Sequence, residues 1–316
     1  YEIGPVRRRL LELVDTPEAV EVMENLRFSP GERTGDSDFV ASLIEGQELF
    51  VNDAFGASHR SHASIVGPPQ YLASAAGRLV EAEVGELEQL LVSPARPFVV
   101  LIGGAKVGDK LGLLRALAER ADLVLVGGGM AFTFLQALGH KIGDSILDPA
   151  QLDRCRELLE MGAPLLLPVD TFAAAPGVEI ADSCEPLTAD GEEVKIFGRD
   201  LPHGWRGLDI GPATLELFRE AIADAGTVMW NGPMGVFEDP RFSRGTRGVA
   251  EAVAATGART VVGGGDSVAA LNRFGLAGQV DHISTGGGAS LALLEHGDLP
   301  GLQALRQSSG RRTWAP

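Results

Sequence analysis

The feature that most limits what this chain can fold into is a pattern that recurs from Phe98 onward: a short aliphatic run, then glycine, then a stretch of helical period. The runs are Phe98 to Ile102 before Gly103-Gly104, Leu123 to Val126 before Gly127-Gly128-Gly129, and Thr227 to Trp230 before Asn231-Gly232-Pro233. Thr260 to Val262 precedes Gly263-Gly264-Gly265, and His282 to Ser284, then Thr285, precedes Gly286-Gly287-Gly288. Continuous apolar strands bounded by glycine and alternating with helices require a parallel sheet covered on both faces. The expected fold class is α/β, doubly wound. The 41 glycines in 316 residues, about 13% against the usual ~7%, are spent largely on these turns.

The intervening helices are legible from their ends. Pro212 stands at a first helical position, Leu215, Phe218 and Ile222 share one face, and Gly226 is expected as a left-handed stop. Leu111 to Arg120 and Gly248 to Ala255 read the same way. Val80 to Leu91, rich in Glu and Leu and closed by Ser93-Pro94, is expected as a helix connecting two domains. Before it lie helices near Pro5 to Leu13 and Asp36 to Ile44 and strand-like Val20 to Met23 and Leu49 to Val51. That is about half of a usual ~100 to 150 residue domain. We therefore expect a partial first domain at 1–75, and at 76–316 the connector helix, a larger domain and a tail. Residue 1 is Tyr rather than Met, so the chain is expected to begin inside a longer one. Thr171 to Asp200 lacks helical period and reads as hairpin or loop.

Charge and cysteine usage narrow the partners. With 27 Lys+Arg against 43 Asp+Glu the net charge is −16, a field that repels nucleic acid and anionic lipid, so neither nucleic acid nor membrane is expected as a partner. The apolar runs are far short of the ~20 residues that span a bilayer. Cys155 and Cys184 form no CxxC pair and no zinc spacing with the six histidines; they read as reduced, buried thiols of a cytoplasmic protein.

In a parallel sheet all strand C-termini share one edge, so the five glycine turns line a single crevice. Glycine lets backbone approach a ligand, and helix starts offer free N–H groups to an anion, which argues for phosphate. The bland reading is that these glycines only permit tight turns. Residues 103–110, GGAKVGDK, fail as a Walker motif because Asp109 stands where lysine is needed, and no triple-glycine turn completes GxGxxG. Lys106 and Lys110 are four apart, on one face if helical, and are either phosphate counter-charges or solvated surface. Asp266 either caps its helix or holds Mg²⁺ beside a phosphate. Glu238 either accepts from a ribose or is solvated. Arg27 in ENLRFSPGE and Arg60 in NDAFGASHRSHAS carry forks suited to phosphate or carboxylate. His59 and His62 beside Arg60 read first as packing or surface groups, and Arg7-Arg8-Arg9 as a solvated face.

Taken together, ENLRFSPGE at 24–32, FVNDAFGASHRSHAS at 50–64, GGAKVGDK at 103–110, VGGGMAFTFL at 126–135, GLDIGP at 207–212, MWNGPMGVFE at 229–238, GGGDS at 263–267 and STGGGAS at 284–290 resemble the phosphoglycerate kinase family, in family order. The resemblance implies two doubly wound, Rossmann-like parallel-sheet domains joined by a helix, the first one truncated here, with 3-phosphoglycerate on the N-terminal one and Mg²⁺ with ATP or ADP on the C-terminal one. It implies that Arg27 and Arg60 hold the glycerate phosphate. On the nucleotide side it places Lys106, Lys110, Gly207, Asn231, Glu238, Gly264, Gly265, Asp266 and Ser267, with Asp266 near the metal. Lys110 and the helix opened by Gly286, Gly287 and Gly288 would serve the transferring phosphoryl. The implied activity is reversible transfer between 1,3-bisphosphoglycerate and MgADP, a glycolytic step, by a monomer that closes about its connector. A DFN-type strand end, an early arginine and a SHLGRP-type loop have no counterpart in the sequence. The alternatives are a truncated nucleotide-binding fragment without activity and, less consistent with the failed GxGxxG test, a dinucleotide oxidoreductase.

Overall fold

The computed structural model describes residues 3–180 and 193–309 and divides the chain into two compact units. One comprises the chain up to Val80 and returns at Leu299; the other runs from Glu81 to Asp298. The described end of the chain, 299–309, thus belongs with the first unit rather than with the expected 76–316 part.

In the first unit β1 (Leu49–Asn52) and β2 (Ala73–Ala76) form a two-stranded parallel sheet. The helix Ser37–Ile44 starts where Asp36 accepts the Phe39 N–H at 2.8 Å, an ordinary N-cap. The helix Pro300–Ser309 packs on β2 and on the short helix Ala63–Val66, and Gly301 donates its N–H to the Ser58 carbonyl. Val20 to Met23 is not a strand: among the described residues it has no neighbour to share a ladder with, and the Val22 carbonyl accepts from the Arg7 side chain instead. The connector helix spans Arg78–Val92, a little longer than expected, because Asp53 Oδ1 accepts the Leu79 and Val80 N–H groups and anchors its start.

All five aliphatic runs are strands of one six-stranded parallel sheet in the second unit. These are β3 (Phe98–Ile102), β4 (Leu123–Val126), β9 (Thr227–Asn231), β10 (Arg259–Gly263) and β11 (His282–Ile283); the edge strand β5 (Leu165–Leu166) is too short to show as a run. Every residue of β3 is buried. Val99 and Leu101 pack with Phe218, Ile222, Trp230 and Val249, and the intervening Phe98, Val100 and Ile102 are equally buried, so helices cover both faces. The sheet order is β11-β10-β9-β3-β4-β5. The chain grows outward from β3 to β5 and then resumes on the other side of β3. Growth reverses between β3 and β9, which is where doubly wound sheets bind ligands.

The helix starting at Pro212 ends at Ala223 with a right-handed cap, so Gly226 is not a left-handed stop. Glycine is needed there because a Cβ would lie 2.6 Å from the Arg96 carbonyl, while the backbone N–H donates to the Pro97 carbonyl. Within Thr171 to Asp200, β6 (Thr171–Ala174) and β7 (Val194–Phe197) pair antiparallel, flanked by β8 (Arg206–Ile210). Cys184 lies outside the described residues; Cys155 is buried, and burial pushes its thiol up to about 12. No helix of the described residues is long and apolar enough to cross a membrane.

Candidate active site

At the reversal point the two strand ends meet through bare backbone. The Gly103 N–H donates to the Asn231 carbonyl at 2.9 Å, and the Gly104 N–H to the Pro233 carbonyl at 3.0 Å. A Cβ on Gly103 would sit 2.1 Å from the Pro233 oxygen, so here glycine serves close approach of two strand ends as well as turning.

Lys110 occupies the junction. Residues 103–110 are a loop, with the helix beginning only at Leu111, so Lys106 and Lys110 do not share a helical face. The turn closed by the Lys110 N–H on the Val107 carbonyl delays the helix and sends the two side chains apart. Lys106 is exposed, while Lys110 Nζ folds back to donate to the Gly103 carbonyl at 2.7 Å and the Asn231 carbonyl at 3.3 Å. Burial lowers its pKa to about 8, against the opposing pull of Asp266 and Asp109. An ammonium has three donors. Two are engaged with these carbonyls, leaving one for an anion.

Beside it, Asn231 is 1% exposed and neither Nδ2 nor Oδ1 of its side chain has a partner. A buried unpaired polar group costs about 1–3 kcal/mol, and no group among the described residues offsets it here. The helix Gly265–Phe274 starts against it, with Gly264 at φ +89°; a Cβ there would be strained and 2.8 Å from Asn231 Nδ2. Ser267 Oγ accepts the Gly232 N–H, tying this helix to the β9 turn. Asp266 is exposed in the first turn and makes no capping bond, which removes the capping alternative.

A cavity of about 490 Å³ opens from this edge, within the usual size for small-molecule sites. Gly207, Glu238 and Asp266 line it, with Ile146, Leu208 and Val236 as apolar walls and Asp144, Ser145 and Arg206 as polar ones. A Cβ on Gly207 would strike the Phe132 ring at 2.1 Å, and its N–H donates to Ser145 Oγ. Leu208 and Val236 lie inside the sequence motifs and are joined by a backbone bond of 2.8 Å. Ile146 and its neighbours lie in a loop without sequence signal. Behind the wall, fully buried Asp209 accepts the Ile210 and Gly245 N–H groups; burial pushes it well above the usual carboxylate range.

Gly286, Gly287 and Gly288 do not line the cavity. They open the helix Gly288–His296, with Gly287 at φ +52°. The preceding turn is held by Glu83 of the connector helix, whose carboxylate accepts from Ser284 Oγ and from Thr285 N and Oγ1 and lies 3.2 Å from His282 Nε2. Burial opposes its ionisation, yet these donors hold its pKa down to about 2.

In the first unit Arg27 sits in a short 3-10 turn, Leu26–Phe28, and Arg60 in the turn before Ala63–Val66; both are exposed. Arg60 Nε donates to His59 Nε2 at 3.2 Å. The His59 pKa is lowered by burial and then by the charges of Arg60, His62 and Arg27, so the four groups share one electrostatic neighbourhood. The two histidines thus read as expected, as packing and hydrogen-bonding groups, His59 accepting from Arg60 and His62 lying 3.6 Å from Glu32. Arg7, Arg8 and Arg9 lie on the helix Gly4–Leu11, which buries nothing. Among the described residues no group of three or more His, Cys, Asp or Glu could hold a metal by itself.

The phosphoglycerate kinase family model matches residues 7–297. A phosphoglycerate kinase from Rubrobacter xylanophilus is 47% identical over 326 residues, covering 96% of this chain and 81% of that protein. One from Thermus thermophilus is 49% identical over 295 residues, covering 92% and 73%. The solved structure of phosphoglycerate kinase from Coxiella burnetii superimposes with a TM-score of 0.84 at 35% identity, covering 97% of this chain and 81% of that one. The motifs, the doubly wound sheet and these likenesses agree: the chain belongs to the phosphoglycerate kinase family.

Proposed function

We propose that the nucleotide of this phosphotransferase binds at the β3/β9 edge and its glycerate substrate at the arginine cluster of the first unit. The reaction is reversible transfer of the acyl phosphate of 1,3-bisphosphoglycerate to ADP, giving 3-phosphoglycerate and ATP. The observation that carries the nucleotide assignment is the pairing of a half-buried ammonium, Lys110, with a buried partnerless amide, Asn231, at the sheet's reversal point. The cavity's apolar walls suit a nucleobase, and Glu238 is placed for a ribose. Gly264, Gly265 and Ser267 present a helix start to the phosphates. Lys106, exposed on its loop, is a further phosphate counter-charge.

In the direction of ATP use the nucleophile is a carboxylate, ionised at neutral pH, so no general base is needed. What the protein must do is orient and neutralise the moving phosphoryl. Lys110 supplies its remaining N–H, and Gly287 and Gly288 supply backbone N–H groups that find no acceptor among the described residues. Arg27 and Arg60 hold the non-transferring phosphate, the exposed forks being free to close on it bidentately. One exposed carboxylate, Asp266, and no protein cluster is a donor set that fits Mg²⁺, which takes most of its oxygens from nucleotide and water. When bound with the nucleotide, Mg²⁺ would screen phosphate charge.

A cytoplasmic monomer goes with this reading, supported by the inert Cys155 thiol and small-molecule substrates, with sedimentation as the check on its state. A family match across both units favours the kinase over a nucleotide-binding fragment. Calorimetric titration of MgADP into the chain and into Asn231→Ala tests the site: binding should be micromolar to millimolar, on the order of −4 to −8 kcal/mol, and weaker in the variant. Equal binding by both would remove Asn231 from the site.

A further inference from the structure

Arg27 and Arg60 come from two separate stretches of the first unit, and neither is held by a packed core. What fixes their spacing is visible in one side chain. Glu32 lies in the short helix Pro30–Thr34, which follows the Arg27 turn directly, and among the described residues of the first unit it is the one buried charged group, 4% exposed. Its Oε2 accepts the Ser64 N–H at 2.9 Å and its Oε1 accepts from Ser64 Oγ at 2.7 Å, with His62 Nδ1 at 3.6 Å. Ser64 belongs to the first turn of Ala63–Val66, whose own N-cap residue, His62, makes no side-chain capping bond. A carboxylate from another segment therefore satisfies an N–H that a local cap would ordinarily take.

The consequence is geometric. The turn carrying His59 and Arg60 is fixed at one end by buried Ser58, whose Oγ donates to the Ala54 carbonyl and accepts from Asn52 Nδ2. Glu32 fixes the other end. It is five residues from Arg27 and reaches across to the residue four past Arg60, so it joins the last position of ENLRFSPGE to the last serine of SHRSHAS. It is also the carboxylate 3.6 Å from His62, in the segment that follows Arg27.

We infer that Glu32 is the positioning residue of the first unit's anion site: it staples the Arg27 segment to the Arg60 turn through Ser64 and His62, and so sets the separation of the two guanidinium groups that grip the substrate phosphate. The inference rests on the assignment of 3-phosphoglycerate to that cluster.

The test is calorimetric binding of 3-phosphoglycerate and, as control, MgADP to Glu32→Ala, Glu32→Gln, Ser64→Ala, Arg60→Ala and the double variant Glu32→Ala/Arg60→Ala. Glu32→Ala should weaken 3-phosphoglycerate roughly 10-fold to 100-fold, the scale for a charged acceptor removed from buried donors, with MgADP within about twofold. Glu32→Gln, which keeps one carbonyl oxygen for Ser64, should restore part of that affinity, and Ser64→Ala should lose less than Glu32→Ala. The double variant should bind no worse than about threefold below Arg60→Ala, because a residue acting through Arg60 has little left to position once Arg60 is gone. Losses in the two single variants that multiply in the double one would make Glu32 a general stabiliser and overturn the inference. Folded Glu32→Ala with unchanged 3-phosphoglycerate affinity would overturn it as well, whereas unchanged affinity in Arg60→Ala would overturn the substrate assignment beneath it. Should Glu32→Ala not fold, Glu32→Gln and Ser64→Ala decide the matter alone: unchanged affinity in both sinks the staple.

Discussion

The two units use parallel sheet in opposite ways. In the second unit every residue of β3 is buried and helices cover both faces; in the first, β1 and β2 stand as a pair, with Leu49 71% and Val51 59% exposed. Parallel strands are ordinarily covered on both sides, and the two proposed sites accordingly rest on different supports. The proposed nucleotide site is made from strand ends and backbone carbonyls that cannot shift without breaking the sheet. The proposed glycerate site is made from turns joined by side chains. One is fixed by its core, the other by a few polar bonds.

The sharpest way to test that contrast is to remove the cation from the rigid site. Lys110→Ala should lower kcat by roughly 10² to 10⁵ with little change in nucleotide affinity, since an interaction strongest in the transition state is lost. Steady-state kinetics with both substrates varied read this; a raised nucleotide KM with intact kcat would reduce Lys110 to a binding cation. Next comes the core itself. Trp230, fully buried with its indole N–H on the Gly232 carbonyl, should cost about 3–5 kcal/mol on replacement by alanine. Leu49→Ala should stay within about 0.5 kcal/mol. Denaturant unfolding compares them, and equal costs would erase the distinction between the units.

Arg60→Ala should act on binding, weakening 3-phosphoglycerate by ~2–4 kcal/mol while kcat at saturation changes less. A fall confined to kcat would move Arg60 to the transferring phosphoryl. The smallest effect is in pH. Burial depresses the Lys110 pKa from 10.5 to about 8, so the unfolded chain holds that proton more tightly than the folded one. The resulting destabilisation is present below about 8 and is relieved as pH climbs from 8 toward 10.5. Because the ammonium acts on the moving phosphoryl rather than on bound MgADP, kcat should fall as pH rises through about 8 with the MgADP KM nearly level, read from a pH–rate profile. Lys110→Arg should abolish that dependence, because guanidinium stays charged.

The sheet was legible because its strands announce themselves twice, by aliphatic runs and by the glycines after them. β5, two residues long, had no room to do either. Val20 to Met23 misled for the converse reason: its composition suits a strand, but strand structure depends on a neighbour that no local window contains. Site residues inside motifs, such as Asn231 and Gly207, could be named from sequence. That Asn231 is partnerless, or that Lys110 parts from Lys106 to lie between two carbonyls, could not, since both follow from packing segments 121 residues apart. In the sequence Glu32 is only the end of a motif, because its partner Ser64 lies 32 residues away.

The central pair of the large sheet joins strands made far apart in time. β3 can pair with β4 as soon as both have left the ribosome, but its other edge waits for β9, whose first partner, Thr227, meets Phe98. At roughly 5–20 residues per second, the chain exposes an apolar, unpaired strand edge for on the order of ten seconds. Such an edge is a template for pairing with any other chain nearby. Protease treatment of ribosome-stalled chains ending before and after β9 would time its closure. The strand that anchors the proposed nucleotide edge in the finished enzyme is, during synthesis, an open apolar edge that a chaperone would have to cover.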